Sequence, residues 1–301
     1  MVIQYLAGGF GNQIQQYVFA RYVERRSHRP FIFDDTNIHA YGFFNGYELE
    51  KVFGVHPKLL SQSIDPDVSE ELASLIKKNI LMPQILFDAG FPTVTVSAQA
   101  LPGIFRGTSI IMDSKDPGIW NLPFHNIYYY GHWTEDYWYA QDQEENRREL
   151  VFPPLTDRKN LKYAEQINGC RSVGIHIRRG DFVNAGRFLS ENLYRQACEK
   201  AVELLPDACF FVFSDELDWC RANAEELGIN LAGHTVYVER NVGDKSYIDM
   251  QLMSICSGLV HDKTSTFSQV AGWLNRNLEL EIKIMKCEEN ASGPFEIVTP
   301  S

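Results

Sequence analysis

Short apolar runs alternate with amphipathic stretches along the second half of the chain. Strands are predicted for the runs RSVGIHI, ACFFVFSDE, TVYVE, GLVHD and LEIKIM, which are rich in β-branched and aromatic residues. Helices are predicted for the segments between them, NLYRQACEKAVELL, WCRANAEELG, SYIDMQLMSIC and TFSQVAGWLN, because their apolar positions recur at helical spacing. Strands that alternate with helices predict an α/β fold with a parallel sheet.

The first half begins in the same way. Val2 to Leu6 predicts a strand, GGFGN a tight turn, and the residues from Gln13 onward a helix, after which FIFDD supplies the next strand. Residues 40–130 are less regular. The prolines of FPPLTD, at 152–157, interrupt both helix and strand and predict a linker. We therefore expect two domains, residues 1–153 and 154–301, with a C-terminal tail that could pack back on the first.

Composition and charge exclude several classes of protein. The formal net charge of the 301 residues is −11, which argues against a nucleic-acid-binding protein and requires a local basic site for any anionic ligand. The N-terminus lacks the features of a signal peptide, and no apolar stretch is long enough for a membrane span. A CxxC pair is absent, so we expect a cytoplasmic protein with reduced thiols at Cys170, Cys198, Cys209, Cys220, Cys256 and Cys287.

The stretch HIRRGD concentrates charge at the end of a predicted strand. Arg178 and Arg179 carry the planar guanidinium groups that bind phosphate oxygens in pairs, and Asp181 is suited to hold one of them. A structural ion pair between arginine and aspartate is an equal alternative. Because ligands of open α/β sheets bind beyond the carboxyl ends of the strands, this strand end is a candidate site.

Two further strand ends carry polar residues. In DKTSTFSQVAGW a loop with Ser265, Thr266 and Ser268 leads into a helix, whose free N–H groups and dipole favour an anion, although simple N-capping is the alternative. FVFSDE places Asp215 after a strand, where it could bind a nucleoside or cap the next helix, and Asp249 opens a helix in the same ambiguous way. Together these ends predict a crevice for a nucleotide diphosphate.

Two features of the first half have a structural and a functional interpretation. Asn12 in GGFGN stands beside backbone that is bare enough for close approach, and is either a ligand contact or a helix N-cap. The aromatic run from Tyr128 to Tyr139 is more typical of a core than of a sugar platform. The chain has no DxD pair in a loop and no histidine spacing typical of metal ligands, so we expect no catalytic metal.

Four segments, in order, resemble glycosyltransferase family 11, the α-1,2-fucosyltransferases. They are LAGGFGNQIQQYVFA, YYYGHWTEDYW, GIHIRRGDF and DMQLMSICSGLVHDKTSTFSQVAGWLN; HIRRGD also matches the HxRRxD motif of α-1,6- and protein O-fucosyltransferases. The resemblance implies a GT-B fold, in which two Rossmann-like domains face each other, the acceptor side first and the GDP-fucose side second. It also implies an inverting reaction that needs no divalent metal, in a bacterial enzyme of cell-surface polysaccharide biosynthesis that could be peripheral to the inner membrane.

By position, the resemblance also implies roles for individual residues. Arg178 and Arg179 would engage the diphosphate, while His176 and Asp249 would face guanine. The full sets are catalytic candidates Arg178, Arg179 and Asp181; donor-binding candidates Asn12, His176, Arg178, Ser214, Asp215, Asp249, Ser265, Thr266, Phe267 and Ser268; and acceptor-side candidates Asn12, His132, Trp133 and Glu135.

The resemblance leaves the acceptor and the general base open. Gln269 and Val270 replace the paired tryptophans of many family members, and His261-Asp262 is also unusual. We expect fucose transfer from GDP-fucose to a galactoside oligosaccharide or glycolipid-linked glycan; another linkage, acceptor or GDP-sugar, or a non-catalytic binding homologue, is the alternative. The candidate bases are Asp35, Glu135, Asp136 and Asp181.

Overall fold

A computed structural model describes residues 1–42, 45–102, 105–113, 115–285 and 293–299. The chain forms two compact units, Met1–Phe152 and Pro153–Ser301. Over the described ranges, no helix combines the length and the apolar character that crossing a membrane requires.

The first unit is built on a five-stranded parallel sheet of order β2-β1-β5-β3-β4. Ile3 of the interior strand β1 lies opposite Ile32 on one side and Tyr128 on the other. The strands are β1 Val2–Tyr5, β2 Phe31–Asp34, β3 Val94–Ser97, β4 Thr108–Ile111 and β5 Ile127–Tyr130. The helices are α1 Phe10–Ser27, α2 Thr36–Tyr41, α3 Leu49–Phe53, α4 Pro66–Lys77, α5 Met82–Asp88, α6 Asp136–Gln141 and α7 Gln143–Glu149.

Helix α1 begins three residues before the predicted start, at Phe10, with Gly9 in the N-cap position. Asn12 therefore lies inside the first turn, and the interpretation of Asn12 as an N-cap is wrong. The turn occupies only the two glycines of GGFGN, and the helix starts at the phenylalanine that follows them. Gly8 has φ +84° and lies under the amide of Asn12: a Cβ on Gly8 would come within 2.3 Å of Asn12 Nδ2. Only glycine satisfies both constraints.

The aromatic run of the first half is largely core, as its composition predicted. Tyr128, Tyr129 and Trp138 are at most 1% exposed. Phe19 of α1 packs edge-to-face on Tyr129 and Trp138, at centroid distances of 5.3 and 5.1 Å. Such aromatic contacts add to the free energy of burial and hold α1 against the sheet and α6.

The second unit contains a six-stranded sheet of order β11-β10-β9-β6-β7-β8. All pairs are parallel, as predicted, except β10–β11, an antiparallel edge that the sequence pattern did not indicate. The strands are β6 Ser172–Ile177, β7 Cys209–Ser214, β8 His234–Tyr237, β9 Gly258–Asp262, β10 Leu280–Ile284 and β11 Phe295–Val298. The helices are α8 Arg158–Asn168, α9 Gly180–Asn184, α10 Glu191–Leu204, α11 Leu217–Ala222, α12 Tyr247–Met253 and α13 Thr266–Leu274.

Strand β6 is central and buried along its whole length, since helices cover both faces of a parallel sheet. Its register places His176 between Phe213 of β7 and His261 of β9. Because β9, β6 and β7 are parallel neighbours, the loops that follow them lie side by side at one edge of the sheet. Helix α11 is shorter than predicted: it ends at Ala222, and turns continue to Asn230, with Gly228 among them at φ +69°.

Candidate active site

The loop after β6 holds Arg178 between two carboxylates. Its Nη2 lies 2.8 Å from Asp181 Oδ1, and its Nη1 lies 3.2 Å from Asp215 Oδ2. The ion pair expected as a structural alternative is therefore present. These contacts use two of the five N–H donors of the guanidinium, and 28% of the side chain is exposed. The group is fixed in place and can still bind an anion.

Asp215 sets the conformation of this loop. While its Oδ2 pairs with Arg178, its Oδ1 accepts a hydrogen bond of 2.9 Å from the backbone N–H of Arg179. The carboxylate lies so close to Gly180 that a Cβ there would come within 2.8 Å of Oδ2. Asp215 does not cap α11, as one interpretation of the sequence proposed, because Glu216 is the N-cap residue and no side chain caps that helix. Ser214 Oγ instead accepts from Glu216 N, at 3.0 Å.

Arg179 is held differently from Arg178. Its guanidinium carbon lies 3.4 Å from the centroid of the Trp219 ring, and its Nε donates to Glu216 Oε2 at 3.1 Å. Only 16% of the side chain is exposed. A cation over an aromatic face is attracted by the ring quadrupole and loses rotational freedom. Sequence reasoning missed both Trp219 and Glu216 as site residues, since helical spacing alone gives no signal that they meet Arg179.

A polar cleft of about 600 Å³ opens beside Asp215 and Trp219, at the carboxyl ends of β7 and β8. Its walls carry both acidic and basic side chains, so it suits a polar ligand better than an apolar one. The lining residues are Ser214, Asp215, Glu216, Leu217, Asp218, Trp219, Arg221, Glu239 and Arg240.

His176 is buried at the end of β6, and its ring centroid lies 6.0 Å from that of Phe267. Burial, followed by the positive charge of Arg178 and the neighbouring His261, lowers its pKa to about 3. The imidazole is therefore neutral at physiological pH. Within the described part of the chain, its Nδ1 has no hydrogen bond partner. A buried polar atom of this kind is suited to a ligand contact.

Helix α13 starts directly beside β6. Ser265 occupies the N-cap position, as the capping alternative expected, but its side chain makes no capping hydrogen bond. Thr266 and Phe267 open the first turn. Ser268 is turned inward: its Oγ donates to Ser265 O and lies 3.2 Å from Nδ1 of the buried His261. The contact between Phe267 and His176 joins this helix start to the loop that carries Arg178.

Asp249 lies in the first turn of α12, which begins at Tyr247, one residue after the predicted start at Ser246, so Asp249 does not itself open the helix. Its carboxylate accepts from the side chain of Asn241, at 2.6 Å, and from the backbone N–H of that residue. Asn241 in turn exchanges two hydrogen bonds with Asn160 of α8. Burial nevertheless raises the pKa of Asp249 to about 6. Asn241, a loop residue without a motif, was missed by sequence reasoning.

In the first unit, Gln16 joins the loop after β1 to the turn after β5. Its Oε1 accepts from Ala7 N at 3.0 Å, and its Nε2 lies 3.0 Å from Nδ1 of the exposed His132. Asn12 lies in the first turn of α1, with its amide over Gly8 of that loop. The sequence alone did not identify Gln16. It follows Asn12 by one helical turn, but residues at this spacing occur in every amphipathic helix and do not mark a site.

The other acceptor-side candidates have separate environments. Trp133 is 4% exposed and stacks on Phe19 at 4.1 Å, so its ring is a core residue and not a surface platform. Its φ of +55° is unfavourable for a bulky side chain and is maintained by this packing. Glu135 pairs with Lys115 at 3.3 Å. Of the candidate bases, Asp35 is 1% exposed and already accepts from Ser61 N and Oγ.

A family model described as glycosyl transferase family 11 matches residues 99–292, which include both the loop after β6 and the start of α13. The chain belongs to glycosyl transferase family 11. The resemblance that the four motifs carry is thereby confirmed. Asn12 and Gln16 precede the matched residues.

Two curated relatives of this family 11 glycosyltransferase come from Escherichia coli. An α-1,2-colitosyltransferase is 25% identical over 295 residues, 94% of this chain and 90% of the relative. The O-antigen biosynthesis glycosyltransferase WbnK is 32% identical over 110 residues, 35% of this chain and 34% of the relative.

Solved structures identify the fold of this family 11 member. The crystal structure of NodZ α-1,6-fucosyltransferase soaked with GDP-fucose superposes with a TM-score of 0.53 at 18% identity, covering 100% of this chain and 99% of the other. A mutant of Arabidopsis thaliana FUT1 in complex with GDP gives a TM-score of 0.52 at 13% identity, covering 96% and 70%. The expected GT-B type of α/β fold with parallel sheets is confirmed.

The remaining candidate groups of this family 11 glycosyltransferase are its cysteine thiols and its metal-ligating side chains. The cysteines that the structure describes are free, namely Cys170, Cys198, Cys209, Cys220 and Cys256, while Cys287 lies outside the described residues. In those same ranges, no three His, Cys, Asp or Glu side chains are grouped as metal ligands.

Proposed function

We propose that this glycosyltransferase moves fucose from GDP-fucose to a galactose-terminated glycan, with an α-1,2 linkage, inversion at the anomeric carbon and no divalent metal. The observation that carries the proposal is the loop after β6, where two arginines are fixed by Asp215 next to the start of α13. Family membership, and structural neighbours determined with GDP-fucose or GDP, support a nucleotide-sugar donor.

In the proposed reaction, the bond between the sugar C1 and the β-phosphate oxygen breaks, and its electron pair goes to that oxygen. A hydroxyl oxygen of the acceptor bonds to C1 from the opposite face and loses its proton to a base. Arg178, the more exposed arginine, stabilises the charge that develops on the departing GDP, and Arg179 holds the diphosphate. Cations aimed at a developing charge lower the barrier because they bind the transition state more strongly than the ground state.

The other donor-side residues have supporting roles in this proposal. First-turn N–H groups at Thr266 and Phe267 bind phosphate oxygens with the help of the helix dipole. Neutral His176 and the carboxylate of Asp249 face the guanine base, whose N–H groups match a carboxylate acceptor. Since Asp35 is buried and already hydrogen bonded, Asp181, Glu135 and Asp136 are the better candidates for the base.

A second candidate donor follows from the colitosyltransferase that matches nearly the whole chain. Colitose differs from fucose by lacking the hydroxyl at C3. A site built to hydrogen bond that hydroxyl would reject colitose strongly, whereas an apolar site would discriminate little. We retain fucose because a solved neighbour that covers the whole chain was soaked with GDP-fucose. A purely binding homologue is disfavoured, since a binder has little need for a charge-stabilising arginine pair.

The acceptor we propose is a galactoside oligosaccharide or a glycolipid-linked glycan of the bacterial cell surface. An O-antigen biosynthesis glycosyltransferase among the relatives supports this choice. We propose a cytoplasmic enzyme, peripheral to the inner membrane when its acceptor is lipid-linked.

The test is release of GDP from GDP-fucose, GDP-colitose and GDP-mannose, with and without lactose, with EDTA throughout. Lactose-dependent release from GDP-fucose is the expected result, followed by identification of the α-1,2 linkage by NMR of the product. Preferential release of GDP from GDP-colitose would show that colitose, and not fucose, is the sugar transferred. Slow release that lactose does not change would show that the acceptor is not a lactose-like galactoside. A chain that neither binds nor turns over any of the three would contradict the proposal.

A further inference from the structure

His132 is a surface residue whose imidazole is held in one orientation and is shielded enough from solvent for burial to lower its pKa. It follows β5 directly, at the carboxyl end of the first sheet, next to the loop after β1. The next residue, Trp133, stacks on Phe19 and so fixes the backbone beside His132. The rings of His132 and Tyr5 meet edge-to-face at a centroid distance of 6.1 Å. A surface imidazole that is fixed by both a hydrogen bond and a ring contact is oriented for a ligand at its other nitrogen.

The hydrogen bonds around Gln16 determine where the imidazole carries its proton. Ala7 N can only donate, so the Gln16 atom that lies 3.0 Å away must be the carbonyl Oε1. The amide nitrogen of Gln16 therefore faces His132 and can only donate. It also lies 3.4 Å from the carbonyl oxygen of Gly131, an acceptor, which agrees with this orientation. Nδ1 of His132 must then accept, and the single proton of the neutral ring is on Nε2.

We propose that His132 donates a hydrogen bond from Nε2 to an uncharged oxygen of the acceptor glycan, and that Gln16 is the positioning residue that selects this tautomer. The inference rests on the proposed function and deepens it. Within the described ranges, Nε2 has no protein partner. Because this nitrogen already carries a proton, His132 is not the base that takes the proton of the attacking hydroxyl.

The surroundings of His132 favour a sugar hydroxyl over a charged group. In the part of the chain that the structure describes, the imidazole contacts the amide of Gln16 and the ring of Tyr5, whose own pKa is raised by burial and which is neutral. A neutral donor in neutral surroundings matches the hydroxyl oxygens of a hexose. Asn12, in the first turn of α1 and over Gly8, adds an amide at the same edge of the sheet.

The first arm of the test measures coupling between His132 and individual hydroxyls of the acceptor. Wild type, His132→Phe and His132→Gln are assayed with lactose and with monodeoxy lactosides that each lack one galactose hydroxyl. Loss of one neutral hydrogen bond raises the KM for acceptor about two- to tenfold. We expect one analogue to show this loss in wild type and none in His132→Phe. His132→Gln, whose amide can replace Nε2–H, restores the sensitivity, and the KM for GDP-fucose stays unchanged in all three.

The second arm observes the tautomer directly, by ¹⁵N NMR of histidine-labelled protein, with the His132 signals assigned from their absence in His132→Phe. Wild type is expected to carry the ring proton on Nε2. Gln16→Glu, which offers an acceptor to Nδ1, is expected to place a proton there, and Gln16→Leu to remove the preference. A ring proton on Nδ1 in wild type overturns the proposed tautomer. The proposed contact with the acceptor is overturned if wild type and His132→Phe respond equally to every deoxy analogue. If wild type releases no GDP with any galactoside, the proposed function fails, and the role of His132 fails with it.

Discussion

Asp215 holds both arginines of the candidate site, with one carboxylate oxygen on each. Its Oδ2 lies 3.2 Å from Arg178 Nη1, and its Oδ1 accepts the backbone N–H of Arg179 at 2.9 Å. The side chain is 8% exposed, so it acts through the arginines and not as a surface charge. The position of the cationic group therefore depends on a residue from the neighbouring strand.

Asp215→Ala should lower kcat/KM for the nucleotide sugar about a hundredfold, because displacement of a catalytic group by about 1 Å has an effect of that order. Asp215→Asn keeps an acceptor for Arg179 N and loses the ion pair, so a smaller reduction is expected. Steady-state kinetics on both variants measure this. Asp244→Asn, at an exposed position of the same unit and outside the cleft, is the matched control. Equal activity of Asp215→Ala and the control would contradict the positioning role.

Arg178→Ala should reduce kcat about a hundred- to a thousandfold, the usual effect of removing a donor that stabilises a developing negative charge. Arg178→Lys keeps the charge but not the planar fork, and should recover only part of the rate. Arg171→Ala removes an exposed arginine of the same unit, paired with Glu279 at 2.7 Å, and serves as the control. The melting temperature shows whether the variant is folded. A folded Arg178→Ala enzyme with wild-type kcat would rule out the assigned role.

Trp219→Ala should weaken GDP binding about two- to thirtyfold, since a cation–π contact contributes about 0.5–2 kcal/mol. The reason is that Arg179 loses the ring on which its guanidinium lies, 3.4 Å from the centroid. Trp219→Phe retains an aromatic face and should lose less. Isothermal titration calorimetry with GDP distinguishes the two. If a folded Trp219→Ala protein binds GDP with wild-type affinity, the contact with Arg179 does not contribute to donor binding.

His176 should make the free energy of unfolding depend on pH. Its folded-state pKa is lowered to about 3, so below the ordinary value of about 6.5 the unfolded chain takes up a proton that the folded chain refuses. Stability from this residue is therefore complete above about pH 6.5 and falls by about 1.4 kcal/mol per pH unit below it. Urea unfolding of wild type and His176→Asn at several pH values measures the difference.

The comparison between wild type and variant isolates His176 from Asp249. Because the pKa of Asp249 is raised to about 6, that residue contributes with the opposite sign as the pH falls, and it is present in both proteins. His234→Asn, at an exposed histidine of the same unit, is the control. A wild-type advantage over His176→Asn that does not change with pH would show that His176 is not buried as a neutral group.

The sequence by itself determined the periodic part of the protein. Apolar runs and helical spacing predicted the strands from β6 to β10 and the parallel sheet, because burial on both faces of a sheet leaves a continuous apolar run. HIRRGD identified Arg178 and Arg179, since charge at the end of a buried strand is conspicuous. Position along the chain also indicated the helix that begins at Thr266, but not that Ser268 turns inward to His261.

Only the tertiary structure decided which side chains meet. Trp219 contacts Arg179 across 40 residues of sequence, Asn241 meets Asp249 from a loop, and Gln16 reaches His132 from another element. Such pairs depend on sheet order and loop path, which leave no periodic signal. The same reason explains Trp133, whose aromatic character predicted either core or platform. Its stacking on Phe19 placed it in the core, because burying a large ring outweighs the unfavourable backbone at that turn.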